Sequence, residues 1–263
     1  MFNSFLDGTK SALEMAAVAN SCNLSPPTDG LEFPPCATHD LPTVLRPRED
    51  GGHLEKKGTV EVVSSLELDG RVVTNDIRFG IFVVVEGELY AWFRKYLTNS
   101  RSAPGDYQME CFKQYGLQTD STGRYAVQSR PYHWIGMELG VSVASIMCRG
   151  EPTGQTLTWA GDVVATAKRD LKAGEKLDGE GGYMVYGKLI PAEASLKIEG
   201  LPIGLAHGIT LKNDVKQGQG LSWQDVEYSE ETQSVAIRRE MESMFRKEFE
   251  SNKTHSNGTN GST

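Results

Sequence analysis

The chain has 263 residues, and 27 Lys and Arg against 35 Asp and Glu leave a net charge of −8. Hydrophobic residues at 38% and charged residues at 24% are ordinary for a globular protein and exclude a collagen-like or wholly disordered chain. The acidic balance argues against nucleic acid as a partner, because phosphate contact needs clustered Lys and Arg.

At roughly 100–200 residues per domain, the length fits one large domain or two small ones. No run reaches the roughly 18 apolar residues of a membrane span, and the best candidate, 135–148, is interrupted by Glu138. No membrane partner is therefore expected. The opening MFNSFLDGTK places Asp7 before the first Lys and lacks an apolar core, so it does not read as a signal peptide. Cys22, Cys36, Cys111 and Cys148 form no CxxC pair, which argues against a zinc site or disulfide scaffold. Reduced thiols in a cytoplasmic protein are the expectation, and the N-x-S/T triplets at Asn23, Asn252, Asn257 and Asn260 are read as chance.

In chain order, residues 9–21 predict a helix capped by Thr9, with Ala12, Leu13, Ala16, Ala17 and Ala19 as its apolar stripe. Residues 23–58 are rich in Pro, Gly and charge and predict a long irregular segment. TVEVVSSLEL, from Thr59, alternates like a strand, and FGIFVVVEGELYAWF reads as a strand buried on both faces. Residues 105–116 suggest a short helix followed by Gly116, and DSTG at 120–123 a turn. Residues 131–148 suit a buried helix with small residues along it. Short strand-like pieces between Gly-rich turns then predict a compact β module over about 160–227. A charged helix over 228–250 would carry Val235, Met241, Met244, Phe245 and Phe249 on one side, and 251–263 should be a disordered tail.

The chain holds no GxGxxG, GxxxxGK[ST], GxSxG, HExxH or EF-hand loop. The clusters Gly179-Glu180-Gly181-Gly182 and Gly218-Gln219-Gly220 lack dinucleotide spacing, and the five His are too scattered for zinc. Neither a cofactor nor a metal is predicted. Arg130-Pro131-Tyr132-His133-Trp134 is the densest chemical cluster, with Glu138 about one turn on. It combines a fixed cation, a phenol, an imidazole and an indole at the mouth of the predicted helix. Spacing alone favours a capping His and core aromatics. Asp7-Gly8-Thr9-Lys10 puts a carboxylate near an ammonium at a helix start, as a proton shuttle or as surface charge. Arg78, Tyr186 and Lys188 flank predicted strands, where pocket rims and solvated strand ends both occur.

Read together, FNSFLDGTKSALEMAAVAN, DIRFGIFVVVEGE, CFKQYGLQTDSTGRYAVQSRPYHWIGMELGVSVAS, RGEPTG, GDVVATAKRDLKAGEKLDGEGGYMVYGKL and LPIGLAHGITLKNDVKQGQGLSWQDV resemble the homoserine-dehydrogenase-like NAD(P) oxidoreductases that carry a C-terminal SAF domain. The resemblance covers roughly 2–227 and implies a β-clip SAF module from ATAKRDLKAGE onward. Members begin with a Rossmann domain of about 150 residues, which the sequence from Met1 does not show. Family members use a Lys and acidic residues on the substrate, and Asp7 and Lys10 look comparable here.

These readings predict an α+β fold in which a mixed sheet with helices (1–155) packs against a SAF-like module (156–227), followed by a helix (228–250) and a tail (251–263). The expected function is cofactor-independent: an isomerase or cyclase, including a pericyclase of the Diels–Alderase type, acting on a small, largely apolar carbonyl compound of specialised metabolism. His133, Tyr132, Lys10, Asp7 and Glu138 would be catalytic. Arg78, Arg130, Lys188, Trp134, Trp92 and Tyr186 would bind substrate. Two alternatives stand beside it: the substrate half of an NAD(P)-dependent dehydrogenase, and a non-catalytic small-ligand-binding SAF protein. A homodimer could hide apolar surface left by a missing dinucleotide domain.

Overall fold

The computed structural model describes residues 3–87, 112–134 and 136–258, with backbone alone from 251. The fold is α+β. Contacts divide the chain into two units, Met1–Leu31 with Thr156–Thr263, and Glu32–Gln155, so the first 31 residues group with the SAF region rather than with the segment up to 155.

In the first unit, helix α1 (Asn3–Leu6) leads into α2 (Thr9–Cys22). Ala12, Ala16 and Ala19 are buried on one face of α2, and their small side chains let the helix lie close to the strands beneath. Asn20 fixes its far end. Its Oδ1 accepts the Ala160 and Gly161 N–H groups at 2.8 and 2.9 Å, and its Nδ2 donates to the Gly161 carbonyl at 3.2 Å. Thr9 is not the cap. The N-cap is Gly8, at φ 82°, and Thr9 sits inside the first turn, fully buried.

The strands of the β module follow. The β4 strand (Gly161–Ala167), buried along its whole length, pairs antiparallel with β6 (Val185–Pro191), and β5 (Lys176–Asp178), β7 (His207–Leu211) and β8 (Val226–Glu227) form a second antiparallel sheet. Leu171, Leu177, Leu201, Leu211, Val215, Leu221 and Trp223 fill its core. The last helix (Gln233–Gly258) covers Trp159, Ala192 and Leu196 with Met241, Phe245 and Phe249 at four-residue spacing. Two expectations are corrected here. Met244, beside that stripe rather than on it, is exposed, and the helix runs past 250 to Gly258, because each added residue of an existing helix gains a hydrogen bond without a new nucleus.

In the second unit, β1 (Ile81–Glu86) pairs with β3 (Tyr125–Arg130), which pairs with β2 (Gln118–Thr119), all antiparallel. Cys36, Leu41, Leu45, Ile77 and Val127 form the core beneath them, joined by Phe82 and Val84. β1 is therefore buried on one face only. Ile81 and Val83 are exposed on the other, which corrects the expectation of a strand buried on both faces. Residues 59–68 make isolated bridges (Pro35 to Ser64, Leu66 to Val72) in place of the expected strand. The helix expected over 131–148 is Leu139–Arg149 (α3), and Leu139, Val141, Val143, Ile146 and Met147 on it are exposed, so it is not a buried helix. Its apolar sequence was the reason for that expectation, and composition does not say which neighbours cover a helix. The helix expected over 105–116 lies mostly outside the described residues, which show 112–114 helical and Gly116 at φ 73°.

Candidate functional site

The first unit builds a polar depression from three pieces of chain. Gly8, in the left-handed region that glycine tolerates, turns the backbone between α1 and α2, and Asp7 Oδ1 accepts the Thr9 N–H at 2.9 Å across that turn. The Thr9 hydroxyl in turn accepts the Gly187 N–H of β6 at 2.8 Å. Only glycine fits at 187, since a Cβ there would stand 2.6 Å from Val163 Cγ1 and 3.0 Å from Thr9 Cγ2. The turn is thus seated directly on the β4–β6 ladder.

Lys168 follows β4, and its N–H extends the ladder to the Met184 carbonyl at 2.9 Å. Its Nζ stands 2.6 Å from Asp7 Oδ2 and donates to the Gly182 carbonyl at 2.5 Å. Asn3 Nδ2 donates to the neighbouring Gly181 carbonyl at 3.1 Å. Asn3, Leu6, Asp7, Lys168 and Tyr183 line an open depression of about 260 Å³. The ion pair is mostly shielded from solvent, while Leu6 and Tyr183 offer large exposed apolar surfaces at its rim.

The electrostatics follow from this geometry. Burial alone would raise the Asp7 pKa. Hydrogen bonds from Lys168 and Thr9 and the Lys168 charge outweigh burial and hold it below the ordinary 3.8. The carboxylate is therefore ionised at neutral pH. The Gly182 carbonyl takes one Lys168 N–H and Asp7 holds the ammonium as an ion partner, which among the described residues leaves a donor for a ligand oxygen. An ammonium held beside a carboxylate can bind a hydroxyl or carbonyl oxygen and exchange a proton with it.

The comparisons with known proteins fall on the same pieces of chain. Residues 1–139 match the family model for the catalytic domain of oxidoreductase DRL. The chain belongs to this oxidoreductase family. Residues 162–227 match the SAF domain, as the sequence resemblance implied, and no curated protein matches the chain. Asp7 comes from the DRL-matched segment and Lys168 from the SAF-matched one, so the ion pair joins the two.

The expected site residues divide between the units. Asp7 is in the depression. Tyr186 is half-buried beside it, its phenol pushed up by burial and then by the Asp7 charge. Lys10 instead faces along its own helix to Glu14 at 3.5 Å, and Lys188 packs its chain at Gly30.

The others lie in the second unit. Arg130 pairs with Glu138 at 2.7 Å and stacks 5.1 Å from the Tyr132 ring, whose centroid is 5.2 Å from that of Trp134. Arg78 pairs with Asp76 at 2.7 Å. Both arginines thus already hold a carboxylate. His133 Nδ1 lies 3.1 Å from the Phe79 carbonyl, which only accepts, so this nitrogen carries the proton. Trp92 lies outside the described residues.

Sequence reasoning passed over Lys168, Asn3, Leu6 and Tyr183. A signal for Lys168 was present: it ends the buried run GDVVATA, the same strand-flanking rule that selected Arg78 and Lys188.

The nicotinamide dinucleotide implied by the resemblance finds no fit among the described residues. Their strand pairings are antiparallel and contain no βαβ unit with a glycine-rich turn to hold a pyrophosphate. Nor do three His, Cys, Asp or Glu side chains converge as metal ligands among them. No described helix is long and apolar enough to cross a membrane.

Proposed function

We propose that this DRL-family chain is the substrate-holding part of an oxidoreductase that acts on a small hydroxy or carbonyl compound with an apolar body. The observation that carries this reading is the Asp7–Lys168 pair at 2.6 Å, set in one depression with Leu6 and Tyr183. The substrate oxygen sits on the remaining Lys168 N–H, and its hydrogen, when it is a hydroxyl, points to Asp7. On reduction the Lys168 ammonium gives that oxygen a proton and is left as the neutral amine; on oxidation the neutral amine takes the hydroxyl proton and becomes the ammonium again. Asp7 holds Lys168 in place, and the rim side chains cover the apolar body. No hydride step is assigned to these residues.

Family membership favours oxidation–reduction over the isomerising or ring-closing chemistry expected from the sequence, although both need a polarised carbonyl. The test is calorimetric binding of a panel of small hydroxy and keto compounds, L-homoserine included, to the full chain. Saturable binding that Lys168→Met weakens by about 10-fold or more, the scale of a hydrogen bond to a charged group, supports the reading. Binding indifferent to Lys168→Met, or conversion of a bound compound with no nicotinamide present, overturns it.

A further inference from the structure

The carbonyl that holds Lys168 belongs to a loop shaped from behind. Asp178 ends β5 and precedes Gly179-Glu180-Gly181-Gly182-Tyr183. Its carboxylate accepts the Tyr183 N–H at 2.5 Å and the Met184 N–H at 3.1 Å. Its backbone carbonyl is met by His207 Nδ1 at 3.0 Å, which therefore carries a proton.

Between these clamps the chain turns through Gly179 and Gly181, at φ 72° and 75°, and the Gly182 N–H donates to the Gly179 carbonyl at 3.1 Å. A Cβ at Gly182 would fall 2.1 Å from Asp178 Cγ, so the Asp178 carboxylate occupies the space a side chain there would take. The result is two successive outward carbonyls, Gly181 to Asn3 and Gly182 to Lys168. Both recipients line the depression. A segment with three glycines in four residues has the largest backbone entropy available, so it holds such a shape only when something fixes it. The carboxylate of Asp178 does so, by occupying the space the glycine leaves and taking two consecutive N–H groups.

We propose that Asp178 is a positioning residue for the site: acting through the Gly182 carbonyl, it holds Lys168 against Asp7. The proposal rests on the assignment of Lys168 and Asp7 as the functional pair, but its test needs no substrate. In the full chain, the Asp7 carboxyl is titrated by carbon-13 NMR in wild type, Asp178→Ala, Asp178→Asn and Lys168→Met, with Asp170 as an internal control. Asp170 is held instead by Lys216 at 2.9 Å. In Asp178→Ala the Asp7 midpoint should rise toward its ordinary 3.8 while Asp170 stays fixed. Asp178→Asn keeps an acceptor oxygen and should restore much of the wild-type value.

If Asp178→Ala does not fold, Gly182→Ala, which displaces the carboxylate without removing it, gives the same reading. An unchanged Asp7 midpoint in a folded variant overturns the positioning role. The functional assignment is separately at stake in Lys168→Met. If Asp7 shifts there but not in the Asp178 and Gly182 variants, the pair stands and only the positioning role is lost. If Asp7 is unmoved by Lys168→Met, both are lost.

Discussion

Lys168 Nζ stands 2.6 Å from Asp7 Oδ2, so the SAF-matched and DRL-matched segments meet in one ion pair. The pair is structural as well as chemical, because Asp7 also accepts the Thr9 N–H that starts α2. A carboxylate with a lowered pKa contributes stability that is present above its ordinary 3.8 and is lost as pH falls through the lowered value. Asp7→Asn should therefore cost about 1–3 kcal/mol at neutral pH, the scale of a hydrogen bond to a charged group. Urea unfolding at a series of pH values should show the gap to wild type narrowing below 3.8. A gap independent of pH would show that the charge of Asp7 adds nothing.

Arg238 ties the last helix to the SAF module. It donates to both oxygens of Asp162, at 3.0 and 2.6 Å, and to Glu242 at 2.7 Å, while its guanidinium lies 4.8 Å from the Trp159 ring centroid. Ser195 Oγ and Trp223 Nε1 donate to the same two carboxylates, at 2.5 and 3.1 Å. Asp162 and Glu242 are 7% and 5% exposed, so removing the cation strips Asp162 of its ion partner and, among the described residues, leaves Glu242 with Arg239 alone. Arg238→Ala should cost about 3–5 kcal/mol and lower Tm accordingly. Arg239→Ala, whose more exposed side chain pairs with Glu242 at 2.7 Å and lies 5.5 Å from the Trp223 ring centroid, should cost much less, and equal losses would refute the buried-network account.

Local and periodic signals carried much of the fold into the sequence. The alanine stripe of α2, the glycine-punctuated β module and the aromatic face of the last helix are all one-dimensional patterns, and the structure has them, save that Ala17 of the stripe is exposed. The misses share a cause. Burial of β1 and α3 was inferred from composition, but burial depends on what packs against an element, and no local pattern states that. The candidate site shows the same division. Asp7 was legible because it stands at a helix start, whereas its partner is brought in by the β4–β6 ladder from a distant part of the chain, while nearby Lys10 turns to Glu14. Arg78 and Arg130 were read as free anion binders because their carboxylate partners, at Asp76 and Glu138, were not weighed as such.

Glu61 predicts an unusual pH response of the second unit. Its carboxylate is 9% exposed and accepts the N–H groups of Val62 at 2.9 Å and of Glu32 at 3.2 Å. Phe33 donates to it as well, from a left-handed backbone at φ 52°. Burial pushes its pKa above the ordinary 4.5, against the pull of these donors. The folded state then holds a proton that the unfolded state releases, so this group's contribution falls as pH rises from 4.5 through the raised value. Glu61→Gln should remove that fall while lowering stability overall, since one oxygen is lost. Stability curves of wild type and Glu61→Gln that run parallel from pH 4 to 7 would contradict it.

Cys36 gives the last prediction. It is 3% exposed in the core of the second unit, and burial, followed by the charge of Asp40, pushes its pKa up to about 12. Its thiol donates to the Ala37 carbonyl at 3.2 Å. Thiolate, not thiol, reacts with electrophiles, and the thiolate fraction falls tenfold for each unit of pKa. Cys22 and Cys148 are free and exposed. Iodoacetamide at pH 8 should therefore label Cys22 and Cys148 in the native protein and reach Cys36 only after unfolding. Peptide mapping by mass spectrometry before and after denaturation reads the difference, and labelling of Cys36 as fast as Cys148 would show that the core around Leu41 and Val127 opens readily in the folded protein.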